Sequence, residues 1–269
     1  MIGDIHHPGS VPLRSRATFV ALDHGTLRAA GYSLVLDRET GDVIVPVGST
    51  TVLMLEPGVS VTHAAVKLCA DQGTLLIWVG EAGVHVYASG RHPRAAAHVL
   101  KQASLRLNSY ARMRVVRRLY ERMFGEAPPA SKDVEPLRGV EGSRVKRWYA
   151  DLAAAAGVPW TTREAAPPDL RSAIGYATST LYGLSEAVIL AAGFSPEIGF
   201  IHTGDPRSLV FDLADTVKFR TVMPEAFAAY ASGATDIRSA VRRRCRDRFR
   251  AERTIDALFD NLSFALTES

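Results

Sequence analysis

A chain of 269 residues is longer than one hydrophobic core usually organises, which favours two domains. With 47% apolar and 22% charged residues the composition is globular, which excludes a disordered or fibrous chain. The net charge of +4 is unevenly spread: residues 1–90 carry 5 basic and 8 acidic side chains, residues 91–150 carry 14 and 5, and the remainder 13 and 15. The basic middle segment favours a polyanion partner, and it equally fits a solvated, arginine-rich helix face. Two cysteines far apart, Cys69 and Cys245, exclude a disulfide framework and a thiolate metal site and suit a reducing compartment. No basic-then-apolar leader opens the sequence and no apolar run is long enough to span a bilayer, so the expected location is the cytoplasm, with no membrane partner.

In chain order, short β-prone runs come first: Thr18 to Leu22, Tyr32 to Leu36, Val43 to Val45, Thr51 to Leu55, Thr74 to Val79 and Val84 to Tyr87. Asp23-His24-Gly25, Arg38 to Gly41 and Glu81-Ala82-Gly83 supply tight turns. One helix is expected among them, capped by Ser60, with Val61, Ala64, Ala65 and Leu68 at helical spacing and Gly73 at its end. The pattern breaks over residues 88–94, and every later apolar run has helical periodicity. Helices are predicted for Ala95 to Phe124, Val134 to Ala156, Leu170 to Ala192, Pro206 to Phe219, Pro224 to Ala231 and, with a break, Thr235 to Leu266. The expected class is α+β, with a β-rich, β-sandwich-like domain over residues 1–90 and an all-α domain over residues 91–269.

The first long helix carries Lys101, Arg106, Arg112, Arg114, Arg117, Arg118 and Arg122 and is suited to tracking phosphates. In the next, Glu141 shares its helical phase with Leu137, Val140, Trp148 and Leu152, which places a carboxylate in a stripe expected to be buried. Such a carboxylate needs a cation, either a metal or an arginine such as Arg138 or Arg144. Gly139 and Gly142 bracket it, and glycine inside a helix suggests close approach of a second helix or of a DNA backbone. Asp212 and Asp215, three residues apart, fall on one helix face opposite Val210, Leu213, Ala214 and Val217. Two such aspartates fit either a solvated surface or a shared cation, and His202, in the loop just before, can supply an imidazole to the same point. Oxygen ligands with one histidine suit Mg²⁺ or Mn²⁺ better than structural zinc. A Walker phosphate loop and a Gly-x-Ser-x-Gly nucleophile motif are both absent, which excludes an NTPase or acyl hydrolase by motif. The arginines of residues 242–250 are unexplained and suit either DNA or a protein partner.

Leu55-Glu56-Pro57-Gly58, Thr62 to Val66, Trp78 to Val84, Gly142-Ser143-Arg144-Val145 and Ile201-His202-Thr203-Gly204 resemble, in order, the signature segments of the CRISPR-associated integrases, the CRISPR-associated protein one family in its subtype I-E form. The resemblance implies a β-domain, a helical domain with the active site, a homodimer, and a complex with the small CRISPR-associated protein two. It implies Glu141, His202 and Asp215 as metal ligands and Asp212 as a further catalytic acidic residue, with Mg²⁺ or Mn²⁺ as cofactor. It also places Arg138, Arg144, Lys146 and Lys218 around the pocket as DNA contacts. The implied activity is metal-dependent strand transfer of protospacer 3′-hydroxyl ends into the double-stranded CRISPR repeat, with endonuclease activity. The alternatives are a stand-alone nuclease on branched DNA or RNA and a non-enzymatic DNA-binding adaptor. Two positions depart from the family pattern: His24 stands where an aromatic residue is common in the first β-turn, and Asp205 where a basic residue is common.

Overall fold

The computed structural model describes residues 18–81, 85–90, 95–131 and 133–266. The chain divides into two compact units, Met1–His92 and Pro93–Ser269. The expected turn at Glu81-Ala82-Gly83 and part of the expected break over 88–94 lie outside the described residues.

The first unit contains two four-stranded sheets. One has the order β1-β5-β7-β8, from β1 (Thr18–Leu22), β5 (Thr50–Leu55), β7 (Leu75–Val79) and β8 (Val86–Ser89). The other has the order β4-β3-β2-β6, from β4 (Val43–Val45), β3 (Ser33–Asp37), β2 (Gly25–Ala30) and β6 (Val59–Val61). All six residues of β5 are buried, as expected of a strand paired in parallel on both edges to β1 and β7. Leu27, Leu34 and Leu36 from one sheet and Leu22, Leu53, Leu55 and Leu76 from the other meet in a single core, which Ala65 and Cys69 of helix α1 (His63–Gln72) complete. The architecture is therefore sandwich-like.

Two strands escaped the sequence pattern. Strand β2 (GTLRAA) has little β propensity and is held by pairing with β3 from Thr26↔Asp37 to Ala30↔Ser33 and by the buried Leu27. Strand β6 occupies what was expected to be the first turn of α1: Ser60 pairs with Thr26 in a ladder, and the helix cap is Thr62, whose hydroxyl accepts from Ala65 N–H at 3.3 Å. Gly73 ends the helix at φ +70°, as expected.

Among the described residues the second unit consists of helices: α2 (Ala95–Leu107), α3 (Ser109–Phe124), α4 (Val134–Ala155), α5 (Pro168–Ala191), α6 (Ser208–Asp215), α7 (Val222–Ala231), α8 (Ile237–Ala251) and α9 (Thr254–Leu266). The long, apolar α5 is its core and packs against α6, α7, α8 and α9. The expected single helix over 95–124 is broken at Asn108, which leaves helical geometry and caps α3 by accepting from Ala111 N–H at 2.9 Å. Asparagine competes for backbone donors in this way, and a continuous basic pattern does not reveal the break. Helix α6 starts at Ser208 rather than Pro206, because the Asp205 carboxylate accepts from Arg207 N–H at 2.8 Å and forms a turn first.

The segment joining α5 to α6 carries His202 and is fastened from α2 and α3. Gln102, with no solvent exposure, donates to the Ser195 and Ile198 carbonyls at 2.9 and 2.7 Å and accepts from Ser195 N–H at 2.8 Å. The Arg112 guanidinium donates to the Phe200 carbonyl at 2.9 Å. Gly199 makes this path possible, since a Cβ there would stand 2.4 Å from the His202 carbonyl oxygen and 2.7 Å from the Ser208 carbonyl carbon. Both contacts are backbone, so no side-chain rotation relieves them. Gly199→Ala is accordingly expected to destabilise the protein by about 1–3 kcal/mol, the usual cost of overpacking a filled site. A denaturant midpoint equal to that of the wild type would show that the segment does not run this close.

Candidate active site

Asp212, on α6, has no solvent exposure. An ionised carboxylate cannot sit there without donors. Four are provided: Phe200 N–H at 2.6 Å and Ile201 N–H at 3.0 Å to Oδ2, and His202 N–H at 2.9 Å and His202 Nδ1 at 2.8 Å to Oδ1. With Nδ1–H donating to the carboxylate, the lone pair of the His202 ring resides on Nε2.

Glu141, His202 and Asp215 line one open cavity of about 460 Å³, together with Lys218, Arg207 and Tyr182 and the apolar Met123, Val145, Phe211 and Phe219. Glu141 comes from α4, Asp215 from the end of α6, Lys218 from the turn after it, and Tyr182 from α5. The Asp215 carboxylate is paired with Lys218 Nζ at 3.2 Å. Glu141 is half-buried and accepts a hydrogen bond from the Tyr120 hydroxyl at 2.9 Å. Neither arginine expected to neutralise it pairs with it directly: Arg138 pairs with Glu135 at 3.4 Å and acts on Glu141 only through its charge, and Arg144 pairs with Glu126 and lies over the Phe124 ring at 4.3 Å. Of the four expected DNA contacts only Lys218 lines the cavity, while Arg138, Arg144 and the exposed Lys146 stand off it on α4.

The burial of Asp212 corrects the expectation for that residue. Val210, Leu213, Ala214 and Val217 are buried as expected, but so is Asp212, and α6 has no solvated acidic face. Helical spacing put Asp212 and Asp215 side by side; it could not show that the first is consumed by the backbone of residues 200–202. Asp212 does not line the cavity, and its carboxylate is spent on the backbone of residues 200–202 and on the His202 ring.

The cavity sets two carboxylates, Glu141 and Asp215, against two cations, Lys218 and Arg207. Burial and the Asp215 charge raise the Glu141 carboxyl above the ordinary carboxylate range, against the opposing effects of Tyr120 and His202. Burial disfavours charge on His202, yet Asp212, Asp215 and Glu141 together hold its pKa above the usual histidine value. Lys218 behaves likewise: burial opposes its charge, and Asp215 more than compensates. Arg207 lies over the Phe211 ring at 5.2 Å, with its Nε 3.8 Å from Asp205, so the acidic residue at that departing position is partly offset by its neighbour. Among the described residues no three His, Cys, Asp or Glu side chains are drawn together closely enough to hold a metal ion. Glu141, His202 and Asp215 share a cavity rather than a point, with Asp215 engaged by Lys218.

Sequence reasoning missed Tyr120, Tyr182 and Arg207. Tyr120 sits in the buried stripe of α3 with Val116 and Leu119, and a hydroxyl in such a stripe calls for a partner. That signal was readable, whereas nothing in the sequence marked Arg207 or Tyr182. Of the two readings of the glycines beside Glu141, a closely packed second helix is the one not found, because an added Cβ at Gly139 or Gly142 would meet nothing within 4 Å. Among the described residues no second helix packs against them.

A β-sandwich-like domain followed by a helical domain with an acidic, histidine-bearing cavity defines a class, and the comparisons with known proteins say which. A family model described as CRISPR associated protein Cas1 matches residues 120–240. The CRISPR-associated endonuclease Cas1 of Escherichia coli K12 is 47% identical over 256 residues, spanning 92% of this chain and 84% of that protein. That of Geobacter sulfurreducens is 42% identical over 264 residues, spanning 95% and 86%. A solved chain described as the crystal structure of the TtCas1-DNA complex superposes with a TM-score of 0.83 at 32% identity, covering 94% of this chain and 97% of that one. The chain belongs to the Cas1 family.

Asp212→Asn removes a charge that raises the His202 pKa, so the ring in that variant is expected to titrate at lower pH in an NMR titration. It also permits the other tautomer and is expected to lower activity by about 100-fold or more. An unchanged ring pKa would mean that the two groups are not paired.

Proposed function

We propose that this protein is a CRISPR adaptation integrase, which joins protospacer 3′-hydroxyl ends to a CRISPR repeat by exchanging one phosphodiester for another and can also cut DNA with water in place of the hydroxyl. The observation that carries this reading is the convergence of Glu141, His202 and Asp215 with Lys218 on one cavity, in a chain closely similar to endonucleases. Glu141, Asp215 and Nε2 of His202 line one cavity and, drawn together there with Asp215 released from Lys218, would hold a Mg²⁺ or Mn²⁺ ion, for which oxygen donors with one imidazole are suited. When bound, such an ion supplies Lewis-acid stabilisation of charge developing on the scissile phosphate and the leaving oxygen. The remaining chemistry falls to residues of the chain. Lys218, kept protonated, offers a cation to a non-bridging phosphate oxygen, and Arg207, stacked on Phe211, offers a second at the cavity wall. Asp212 keeps the His202 ring in the tautomer that leaves Nε2 free.

DNA as substrate is supported by the complex described for the similar TtCas1 chain and by the basic segment over residues 91–150. The open surface at Gly139 and Gly142 leaves room for a backbone to approach beside Glu141. A homodimer joined to the small CRISPR-associated protein two, acting in the cytoplasm, completes the proposal on the strength of the family resemblance. No described helix is long and apolar enough to cross a membrane. Hydrolysis alone is the second reading, favoured by the name endonuclease that the relatives carry.

The test incubates the protein and its small partner with Mn²⁺, a labelled duplex bearing free 3′-hydroxyls and a supercoiled repeat-bearing plasmid. Label joined to the plasmid is expected, abolished by EDTA and reduced about 100-fold or more by Glu141→Ala, His202→Ala or Asp215→Ala. Nicking without joining would favour the nuclease. Joining that survives all three substitutions would remove the chemistry from this cavity.

A further inference from the structure

Of Glu141, His202 and Asp215, the first two are oriented by a buried partner from another segment. For His202 the partner is Asp212. For Glu141 it is Tyr120, and the sequence resemblance assigned Tyr120 no role. Tyr120 has no solvent exposure, and its ring stacks on Phe124 with centroids 5.2 Å apart and planes at 20°. Its hydroxyl donates to Oε2 of Glu141 at 2.9 Å, and among the described residues this is the only hydrogen bond the Glu141 side chain makes.

The rest of α4 does little to fix that carboxylate. The flanking Gly139 and Gly142 have no side chains and nothing packed over them. The nearby Arg138 and Arg144 are committed to Glu135 and Glu126. A glutamate on a helix otherwise turns about several side-chain bonds, and each conformer it visits away from the working one weakens whatever its carboxylate binds. A phenol locked in the core by its ring cannot follow those motions. It fixes Oε2 and leaves Oε1 as the oxygen without a hydrogen bond.

We propose that Tyr120 is a positioning residue for the chemistry of the cavity: its buried hydroxyl holds Glu141 so that one carboxylate oxygen remains presented to a divalent cation. This rests on the reading of the cavity as a cation-dependent phosphodiester site. Helix α3 then has two roles, since the residues of its solvent side include the arginines of the basic segment while its buried side sets the geometry of a ligand carried by α4.

The variant to make is Tyr120→Phe, which keeps the ring, its stacking and its burial and removes one oxygen atom. Mn²⁺ binding to the full-length protein, followed by electron paramagnetic resonance of the free ion, is expected to weaken about 10-fold, as is usual when the group orienting a metal ligand is lost. The joining rate with the small partner is expected to fall by a similar factor, with the KM for DNA unchanged. Phe124→Leu removes the stacking partner and keeps the hydroxyl, and it is expected to leave the Mn²⁺ affinity within about 2-fold of the wild type. A purely structural Tyr120 would lower the melting temperature of the metal-free protein yet leave the additional rise produced by Mn²⁺ intact, and that result overturns the proposal. So does a Phe124→Leu variant as weak for Mn²⁺ as Tyr120→Phe. Should Tyr120→Phe bind Mn²⁺ like the wild type, the positioning role fails while the reading of the cavity stands. A wild-type protein that takes up no Mn²⁺ overturns both.

Discussion

The carboxylate of Asp212 holds the helical domain's cavity together. It is wholly buried and accepts from three consecutive backbone N–H groups and from the His202 ring, so the path of residues 200–202 and the orientation of the imidazole are set by one side chain. A buried charge with four donors is tolerated, and one that has lost them costs several kcal/mol, on the order of the stability of many domains. The dependence therefore runs both ways: the segment needs Asp212 to hold its path, and the buried Asp212 needs the segment for its hydrogen-bond donors. Gln102 and Arg112 extend the arrangement outward by tying the same segment to α2 and α3, and Gly199 lets it turn closely enough to reach the carboxylate. A catalytic-type histidine on a loop is thereby held as rigidly as one on a helix.

Charge balance in the cavity depends on that placement. Asp212 first, then Asp215 and Glu141, hold His202 toward its charged form despite burial, and Asp215 does the same for Lys218. Lys218 sits 3.2 Å from Asp215 and balances its charge. A phosphate ester brings further negative charge, which Lys218 and Arg207 on the cavity wall are placed to meet.

Much of this was legible in the sequence, and the remainder was hidden for identifiable reasons. The change from short β-prone runs to helical periodicity reports the fold class, because side-chain periodicity follows directly from backbone geometry. Glu141 drew attention because a carboxylate within an apolar helical stripe conflicts with burial. The pairing of Asp212 with the backbone of residues 200–202 was not legible, since helical spacing reports which residues share a face but not what covers that face. Strands β2 and β6 were invisible for a related reason: their residues are ordinary, and pairing with β3 and with each other makes them strands. The break at Asn108 shows the converse, a local side-chain hydrogen bond overriding a pattern that continues on both sides.

The arginines separate in the same way, into those that hold the protein together and those available to a polyanion. The run over residues 242–250 suited either DNA or a protein partner by its sequence. In the fold Arg244 and Arg248 close on Glu225 of α7, Arg248 also reaches Glu252, and Arg246 pairs with Asp247. On α3, Arg118 and Arg122 lie over the Phe264 ring of α9, and Arg117 donates to the carbonyls of Pro128 and Pro129. Linear charge density therefore does not locate where phosphate is handled. A guanidinium already satisfied by a carboxylate contributes little to a new anion, whereas a lysine kept protonated in a cavity, beside a carboxylate that a metal can claim, is able to exchange its partner for a phosphate. By that criterion the informative cation is Lys218, which a count of basic residues along the chain would have passed over.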